Sequence, residues 1–211
     1  MRETRFWWIR HAPVPDGGRI YGQRDLPCDC SDRETFAALA RVLPRGAVWA
    51  TSNLLRAKQT AQAIWEAGYG FPEAIELADL AEQHLGDWQG LDRAEFYAAR
   101  PQRVIAHWFA EPHERAPGGE SFNDMAARTR TGVDKLLKQH GGGDIVVVAH
   151  GGVIRAAIGI ALDLPPHKML AFATDNCALT RLDHIETASE SGWRVAFINW
   201  RMRSGESGPL A

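Results

Sequence analysis

A continuous apolar run at residues 145–149, Ile-Val-Val-Val-Ala, constrains the fold of this 211-residue chain more than any other feature. Its β-branched residues favour a strand. Because polar residues do not alternate with the apolar ones, both faces of that strand are expected to be buried, as they are in a parallel sheet covered by helices on both sides. The run therefore predicts an α/β fold with a mostly parallel central sheet.

Shorter apolar runs alternate with helical patterns along the rest of the chain. The runs that predict further strands are 6–9, 47–50, 74–77, 178–182 and 194–198. The predicted helices begin near residues 31, 51, 121 and 153. We interpret Ser31 and Glu34 as a capping box, and Gly151 and Gly152 as a turn before the last helix. Strands that alternate with helices predict a three-layer α/β/α sandwich.

Residues 91–117 carry scattered aromatic residues and show no clean periodicity. We interpret this stretch as short helices in a cap, inserted at about 91–121 over the core. A chain of 211 residues suits one such domain, spanning 1–211, with a buried core and a small cap.

Composition excludes several classes of function. The formal net charge is −2, so no broad basic surface is expected to bind nucleic acid. No stretch reaches the ~18 apolar residues of a membrane helix, and the charged residues before Phe6 are unlike a signal peptide. The three cysteines, Cys28, Cys30 and Cys177, are too few and too scattered for a disulfide framework or a metal site. A reducing compartment, the cytoplasm, is the expected location.

Cationic and imidazole side chains follow three of the predicted strands. Arg10 and His11 follow the first strand, Arg56 lies just after the second, and His150 follows the central run. Because ligands of such sheets collect at the carboxyl ends of the strands, these side chains are expected to converge on one site. The convergence predicts a local anion site in a chain that has no overall positive charge.

These residue types match the chemistry of a phosphate monoester. Arginine donates paired hydrogen bonds to phosphate oxygens, and Arg10 and Arg56 are therefore predicted phosphate ligands. Gly151, at the start of a helix, lets backbone N–H groups approach the anion closely. A neutral imidazole needs no metal to attack phosphorus, so His11 is the predicted nucleophile, and His150 is predicted to bind the phosphate and stabilise its charge.

A leaving alkoxide requires a proton, and Glu82 is the candidate general acid. A bound phosphate would keep its carboxyl group protonated, and the resulting carboxylate could deprotonate the attacking water. Asp87 and a water molecule are the alternatives for this role. The predicted mechanism requires no metal and no cofactor.

Five segments of the sequence resemble, in order, the motifs of the histidine phosphatase superfamily, which includes the cofactor-dependent phosphoglycerate mutases. These segments are 8–12 (Trp-Ile-Arg-His-Ala), 52–61 (Ser-Asn-Leu-Leu-Arg-Ala-Lys-Gln-Thr-Ala), 82–90 with Glu82, 118–121 (Gly-Gly-Glu-Ser) and 147–152 (Val-Val-Ala-His-Gly-Gly). The resemblance extends from about Phe6 to Asn199. It implies an α/β/α sandwich and a phosphohistidine intermediate.

Within the superfamily, residues 21–27 and 82–88 and the final strand pair are similar to small bacterial phosphatases of the α-ribazole phosphatase type. This resemblance implies α-ribazole 5′-phosphate as a possible substrate, and Gly22, Gln23 and His84 as substrate-binding residues. The chain departs from the usual family pattern at Ala12-Pro13 and at Gly17, where an asparagine is common.

Three functions are compatible with these residues. Hydrolysis of a small phosphorylated metabolite is favoured, because the short cap lacks the paired arginines with which mutases bind a substrate carboxylate. A phosphoglycerate mutase and a phospho-ligand-binding protein of low turnover are the alternatives. The sequence leaves open the alcohol half of the substrate and the oligomeric state, with a homodimer among the possibilities.

Overall fold

A mixed sheet of six strands forms the centre of the computed structural model, which describes residues 1–100 and 108–201. The strands are β1 (Arg2–Arg10), β2 (Val48–Thr51), β3 (Ala74–Glu76), β4 (Asp144–Ala149), β5 (Leu179–Glu186) and β6 (Ser191–Trp200). Their spatial order is β3-β2-β4-β1-β5-β6. The first four are mutually parallel, and β5 and β6 add an antiparallel hairpin next to β1. The predicted mostly parallel sheet is confirmed, and the last two predicted strands form this hairpin.

Helices connect and cover these strands. They are α1 (Arg33–Val42), α2 (Leu55–Ile64), α3 (Arg93–Ala98), α4 (Phe122–His140), α5 (Gly151–Ala161) and α6 (Pro166–Met169). Among the helices of the two described ranges, none combines the length and the apolarity that crossing a membrane requires. The cytoplasmic location stays a prediction.

Alternate residues of β4 enter two separate cores. Ile145 and Val147 pack in the core that contains residues of α4 and α5. Val146 and Val148 pack in the other core, with residues of α1 and α2. All four side chains are completely buried. The helices therefore form a layer on each side of the sheet, which confirms the three-layer sandwich.

The register of the central strands places their carboxyl ends side by side. Arg10 is paired with Ala149 across β1 and β4, and Thr51 is paired with Val148 across β2 and β4. The next residues along the chain, His11, Ser52 and His150, therefore leave the sheet at the same edge. Strand pairing alone brings together three segments that lie far apart in the sequence.

Three predicted helix starts are wrong, by one to four residues. Helix α2, predicted to begin near residue 51, begins at Leu55. The N-cap of α1 is Asp32, whose carboxylate accepts the backbone N–H of Thr35 at 3.1 Å, so Ser31 and Glu34 do not form the capping box. Helix α5 begins at Gly151, not Val153, with His150 as its N-cap. The two glycines thus belong to the first helical turn, where backbone N–H groups have no acceptor within the helix.

The predicted cap lies partly outside the described residues, because 101–107 are not described. Helix α3 is short, and Phe96 from it packs with Trp88 and Ile20 in a third, smaller apolar cluster. Helix α4, which follows, is opened by the predicted Ser121–Asp124 pair, and both hydrogen bonds of this capping box are present. The boundaries of the cap and the single-domain organisation stay predictions.

Gly86 permits a close backbone approach beside Glu82. Its φ angle is +42°, and a Cβ atom there would lie 2.0 Å from the carbonyl oxygen of Pro117. Gly17 has a comparable φ of +62°, but nothing lies within 4 Å of its Cβ position. Substitution of either glycine is costly because both have a positive φ angle. Only at position 86 would the new Cβ atom also collide with backbone atoms.

We expect Gly86→Ala to lower the free energy of unfolding by at least about 2 kcal/mol more than Gly17→Ala, which should cost about 1 kcal/mol. Urea unfolding of both variants and the parent protein measures the difference. Equal losses in the two variants would show that the segments at 86 and 117 are not packed this closely.

Candidate active site

Two buried imidazoles lie at the edge where β1 and β4 end. His11 and His150 are both 0% exposed, and their ring centres are 5.2 Å apart. The Asn176 side chain donates a hydrogen bond to the backbone carbonyl of His11 at 2.7 Å. The rigid sheet on one side and this bond on the other fix the backbone position of His11.

Hydrogen bonding distinguishes the nitrogen atoms of each imidazole. His11 Nδ1 lies 2.7 Å from the carbonyl oxygen of Ala12, which can only accept, so Nδ1 carries the hydrogen. The lone pair is then on Nε2, which is buried and has no partner among the described residues. His150 Nε2 lies 2.6 Å from the Ser52 hydroxyl, and its Nδ1 is likewise buried and unpartnered.

Both rings are held in the neutral form. Burial lowers the pKa of His11 to about 3, and the positive charges of Arg56 and Arg10 contribute to the shift, against the opposing hydrogen bond to Ala12. Burial, and then the charge of Arg56, also places the pKa of His150 well below its ordinary value. A neutral His11 retains its lone pair at any physiological pH, as a nucleophile requires.

Arg56 occupies the first turn of α2 and is completely buried. Its guanidinium group donates to the backbone carbonyls of Gly22 at 2.6 Å and Arg24 at 2.9 Å, and it lies over the Tyr21 ring at 5.0 Å. Its Nε atom has no hydrogen-bond partner in the described part of the chain. Burial lowers the pKa of Arg56, although the charge of Glu82 opposes the shift. No described carboxylate forms an ion pair with this guanidinium, so its charge is available to an anion.

Arg10, the last residue of β1, has a similar arrangement. Its Nη1 atom donates to the carbonyl oxygen of Thr174 at 2.6 Å, and its Nε atom is buried without a partner. Gly151, the first residue of α5, lies against it, because a Cβ atom at Gly151 would be 3.5 Å from Arg10 Nε. The predicted phosphate ligands Arg10 and Gly151 are therefore neighbours at the strand ends.

Glu82 lies at the amino end of α5. One carboxylate oxygen accepts the backbone N–H of Gly152 at 3.4 Å, and the other accepts that of Gln83 at 3.0 Å. The helix N-terminus, with its partial positive charge, stabilises a carboxylate in this position. The structure thus brings Glu82 to the same helix end that adjoins Arg10 and His150.

A single arginine holds the segment 79–84, which we call the Glu82 loop. Arg128 of α4 donates to three backbone carbonyls of this loop at 2.6–2.9 Å, those of Asp79, Ala81 and Glu82. It also donates to the Glu120 carboxylate at 2.6 and 3.0 Å, and Glu120 accepts the backbone N–H of His84. One ion pair therefore fixes both ends of the loop.

The three residues predicted to bind substrate contact the site in different ways. The carbonyl of Gly22 is occupied by Arg56, although Gly22 also lines a cavity of about 110 Å³ together with Glu82. The Gln23 amide donates to the carbonyl of Glu82 at 2.8 Å. His84 Nδ1 accepts the backbone N–H of Gly86 at 3.3 Å. Gln23 and His84 thus support the Glu82 loop, and their contact with substrate stays a prediction.

A larger cavity of about 600 Å³ borders the strand ends at Arg10, although neither imidazole lines it. Arg10 and Asn176 line it on the side of the strand ends, and Asp16 and Arg93 form an ion pair on its wall. Its aromatic lining consists of Tyr21, Tyr97, Trp108 and Phe109. Such a space suits the organic part of a ligand whose phosphate is bound by the arginines.

Within the described ranges, no group of three or more histidine, cysteine or acidic side chains could hold a metal ion. The predicted independence of metals and cofactors stays a prediction. Cys28 and Cys30 are free thiols whose sulfur atoms lie 3.5 Å apart.

Three contributors to the site were missed in the sequence. Ser52 holds His150, Arg128 holds the Glu82 loop, and Arg155 lies beside Arg10. Ser52 follows β2 as His11 follows β1, so its position after a strand was a usable signal. Arg128 and Arg155 sit inside helices, and only tertiary packing shows what they contact.

The chain is an α/β protein whose parallel strands end at two neutral imidazoles and two guanidinium groups that have no described carboxylate partner, an arrangement that can accept an anion. The model of the histidine phosphatase superfamily (branch 1) matches residues 6–201, and the chain belongs to this superfamily. The resemblance inferred from the motifs is thereby confirmed. The chain is a phosphatase, a hydrolase of phosphoric monoesters.

Known relatives share both sequence and fold with the chain. Glucosyl-3-phosphoglycerate phosphatase of Mycolicibacterium vanbaalenii is 36% identical over 214 residues, covering 96% of this chain and 94% of the relative. A structure of mycobacterial glucosyl-3-phosphoglycerate phosphatase with inorganic phosphate has a TM-score of 0.75 at 32% identity, covering 95% of this chain and 98% of the other. A putative α-ribazole-5′-P phosphatase of Escherichia coli, at 24% identity and a TM-score of 0.71, covers 96% of this chain and 99% of its own, and shows the fold alone.

The low imidazole pKa values predict an unusual titration. Between pH 8 and pH 5, the ring signals of His11 and His150 should stay at their neutral positions in NMR spectra of ¹⁵N-histidine-labelled protein. Added free imidazole, which titrates in this range, serves as the reference. The variants His11→Asn and His150→Asn assign the signals, and a midpoint above pH 5 for either ring would contradict the burial argument.

The same shift has a consequence for stability. Between about pH 6.5 and about pH 3, an unfolded His11 binds a proton that the folded protein excludes. The unfolded state therefore binds more protons, and the free energy of unfolding should fall as the pH is lowered through this window. Urea unfolding at pH 7 and pH 5 should show that the parent protein loses more stability than His11→Asn.

Proposed function

We propose that the chain hydrolyses a small phosphorylated metabolite through a phosphohistidine intermediate on His11. One observation carries the proposal: four buried polar atoms without protein partners occur in the strand-end cluster. They are His11 Nε2, His150 Nδ1, Arg10 Nε and Arg56 Nε. Buried polar atoms are almost always hydrogen-bonded, so their concentration in one place indicates a ligand that accepts hydrogen bonds. A phosphate group is such a ligand.

In the first step, His11 Nε2 attacks phosphorus and a P–N bond forms. The bond between phosphorus and the ester oxygen breaks, its electron pair goes to that oxygen, and the Glu82 carboxyl group supplies the proton that makes the leaving alcohol. Arg10 and Arg56 neutralise the phosphate dianion during transfer. A neutral His150 that accepts the Ser52 hydroxyl hydrogen at Nε2 carries its own hydrogen on Nδ1, and it donates this hydrogen to a phosphate oxygen.

In the second step, water attacks the phosphohistidine. The Glu82 carboxylate takes the proton of the water, the P–N bond breaks, and inorganic phosphate leaves with His11 again neutral. Glu82 ends protonated and ready for the next cycle. The Glu82 loop must keep its place through both steps, and the Arg128 contacts provide that restraint.

The alcohol half of the substrate lies, in this proposal, in the cavity of about 600 Å³. Its aromatic side chains offer flat faces on which a sugar or a heterocyclic base can pack. Two candidates follow from related proteins: glucosyl-3-phosphoglycerate, from the name of the relatives at 36% identity, and α-ribazole 5′-phosphate, from the motif resemblance. Measurement of kcat/KM for both, and for phosphoglycerates with and without bisphosphoglycerate, distinguishes the two and tests the mutase alternative.

His11→Ala should lower the hydrolysis of p-nitrophenyl phosphate by at least ~10³-fold, because no phosphohistidine can form. The assay contains EDTA, so that a metal-dependent reaction makes no contribution. His113→Ala, which removes an exposed histidine outside the site, is the control. Rapid quenching with a ³²P-labelled substrate should trap label on the parent protein and on His113→Ala, and none on His11→Ala. Equal rates for His11→Ala and the parent protein would refute the proposal.

Glu82→Gln should impair poor leaving groups selectively. For glycerol 3-phosphate, whose alkoxide needs a proton, we expect kcat to fall by about 10²–10⁴-fold. For p-nitrophenyl phosphate, whose phenolate leaves readily, the loss should be at least tenfold smaller. Asp87→Asn is the matched comparison, because Asp87 is the alternative acid. If the selective loss occurs in Asp87→Asn and not in Glu82→Gln, the assignment of Glu82 is wrong.

A further inference from the structure

Arg155 is a third arginine at the strand ends, beyond the two that the proposed mechanism uses. It lies on α5, about one turn after His150, and it is partly buried. Its Nε atom donates to the carbonyl oxygen of Phe172 at 2.8 Å, and its guanidinium carbon lies 4.8 Å from the centre of the Trp108 ring. These two contacts fix the orientation of the guanidinium plane.

The guanidinium group of Arg155 lies beside that of Arg10. A Cβ atom on Gly151 would be 3.1 Å from Arg155 Nη1 and 3.5 Å from Arg10 Nε, so both groups border the same small region. Thr174 Oγ1 lies 3.2 Å from this position, and it is buried without a partner. Two cations and a free hydroxyl therefore adjoin one residue of the predicted phosphate site.

No carboxylate of residues 1–100 or 108–201 lies within ion-pair distance of Arg155. Apart from the predicted phosphate ligand Arg10, three other partly buried arginines have a carboxylate partner: Arg93 pairs with Asp16, Arg100 with Glu114 and Arg128 with Glu120. Arg155 forms no ion pair within the described part of the chain. Burial, together with the positive charge of Arg10, lowers the pKa of Arg155 to about 10 against the opposing charge of Glu82, so it remains a cation at neutral pH.

The balance of charges in the site indicates that Arg155 can bind an anionic group other than the phosphate. A phosphate monoester carries up to two negative charges, which Arg10 and Arg56 already balance. With Glu82 protonated, as the proposed first step requires, Arg155 leaves one positive charge in excess when the phosphate is bound. A planar guanidinium group matches a carboxylate through two parallel hydrogen bonds. Trp108 contacts Arg155 and also lines the cavity of about 600 Å³, which places Arg155 next to the space for the alcohol half.

We propose that Arg155, assisted by the Thr174 hydroxyl, binds a carboxylate on the alcohol half of the substrate, so that the preferred substrates are phosphate esters of hydroxy acids. The proposal rests on the proposed function, because it concerns the part of the substrate that leaves. It makes Arg155 a specificity-determining residue for the reaction, and it requires no change in the roles of His11 and Glu82.

The test uses two substrates that differ only in a carboxylate, O-phospho-L-serine and O-phosphoethanolamine. We define the discrimination ratio as kcat/KM for the first divided by kcat/KM for the second. The parent protein should have a ratio above 10, and Arg155→Gln should lower it by about 10- to 100-fold, the effect of a lost charge-assisted hydrogen-bond pair. Arg130→Gln, an exposed arginine on α4, is the control and should leave the ratio unchanged.

Several results would overturn the proposal. A parent ratio near 1 would show that the carboxylate is not recognised. Equal losses on both substrates in Arg155→Gln would make Arg155 a ligand of the phosphate, and no loss on either would make it a structural residue. If Arg155→Gln does not fold, as judged by circular dichroism, Thr174→Val replaces it. That variant should lower the ratio by about 3- to 10-fold, and an unchanged ratio would refute the proposal.

Failure of this inference can be distinguished from failure of the proposed function. Hydrolysis of p-nitrophenyl phosphate that depends on His11 tests the mechanism, because this ester has no carboxylate. If that dependence is observed and the discrimination ratio is near 1, only the role of Arg155 is wrong. If the dependence is absent, the mechanism itself fails.

Discussion

Positive charge buried without a carboxylate partner is the constraint on which the rest of this structure depends. Removing a guanidinium group from water is costly, and an ion pair would normally offset the cost. Here Arg56 is held by the carbonyl oxygens of Gly22 and Arg24, and Arg10 by that of Thr174. Carbonyl dipoles stabilise the cations without cancelling their charge. The positive charge of the site is therefore uncompensated, and a substrate phosphate can compensate it.

The loop from Tyr21 to Arg24 supplies the carbonyl groups that this buried charge requires. The chain from Tyr21 to Arg24 must turn so that its carbonyl groups point at Arg56. Gly22 has a φ of +47°, and a Cβ atom there would lie 2.5 Å from Gln89 Oε1. The loop whose carbonyl groups accept hydrogen bonds from Arg56 thus packs directly against a residue that follows the Glu82 loop. The proposed phosphate ligand Arg56 and the proposed acid Glu82 therefore belong to one packed unit.

Much of the fold and half of the site are predictable from sequence because they depend on short-range patterns. The apolar run of β4 indicates burial on both faces, and the carboxyl ends of parallel strands then bring Arg10, His11 and His150 together. Errors arise where two local signals overlap. Asp32 and Ser31 are adjacent residues that both favour an N-cap, and glycines after His150 suit a helical first turn as well as an open turn.

The remaining part of the site is fixed by tertiary contacts that have no local pattern. Arg128 and Arg155 have the spacing of ordinary helix residues, and their significance depends on the carbonyl groups that they reach. The Glu82 loop lies outside any long helix or strand, so neither periodicity nor capping indicates where its carboxylate points. The motif resemblance identified Glu82 because it preserves the order of segments, which periodicity cannot detect.

In the proposed mechanism, the same cations serve both substrate binding and reactivity. Arg56 and Arg10 supply charge for an anion, and they also help to keep the His11 imidazole unprotonated. A protonated His11 would have no lone pair for phosphorus, so arginines that attract the substrate also maintain its nucleophile. When the phosphate dianion binds, it offsets these charges and moves the imidazole towards protonation. The bond from Nε2 to phosphorus prevents that proton from being taken up, because it occupies the lone pair that a proton would require. In the proposed mechanism, transfer to His11 therefore removes the tendency towards protonation that phosphate binding creates.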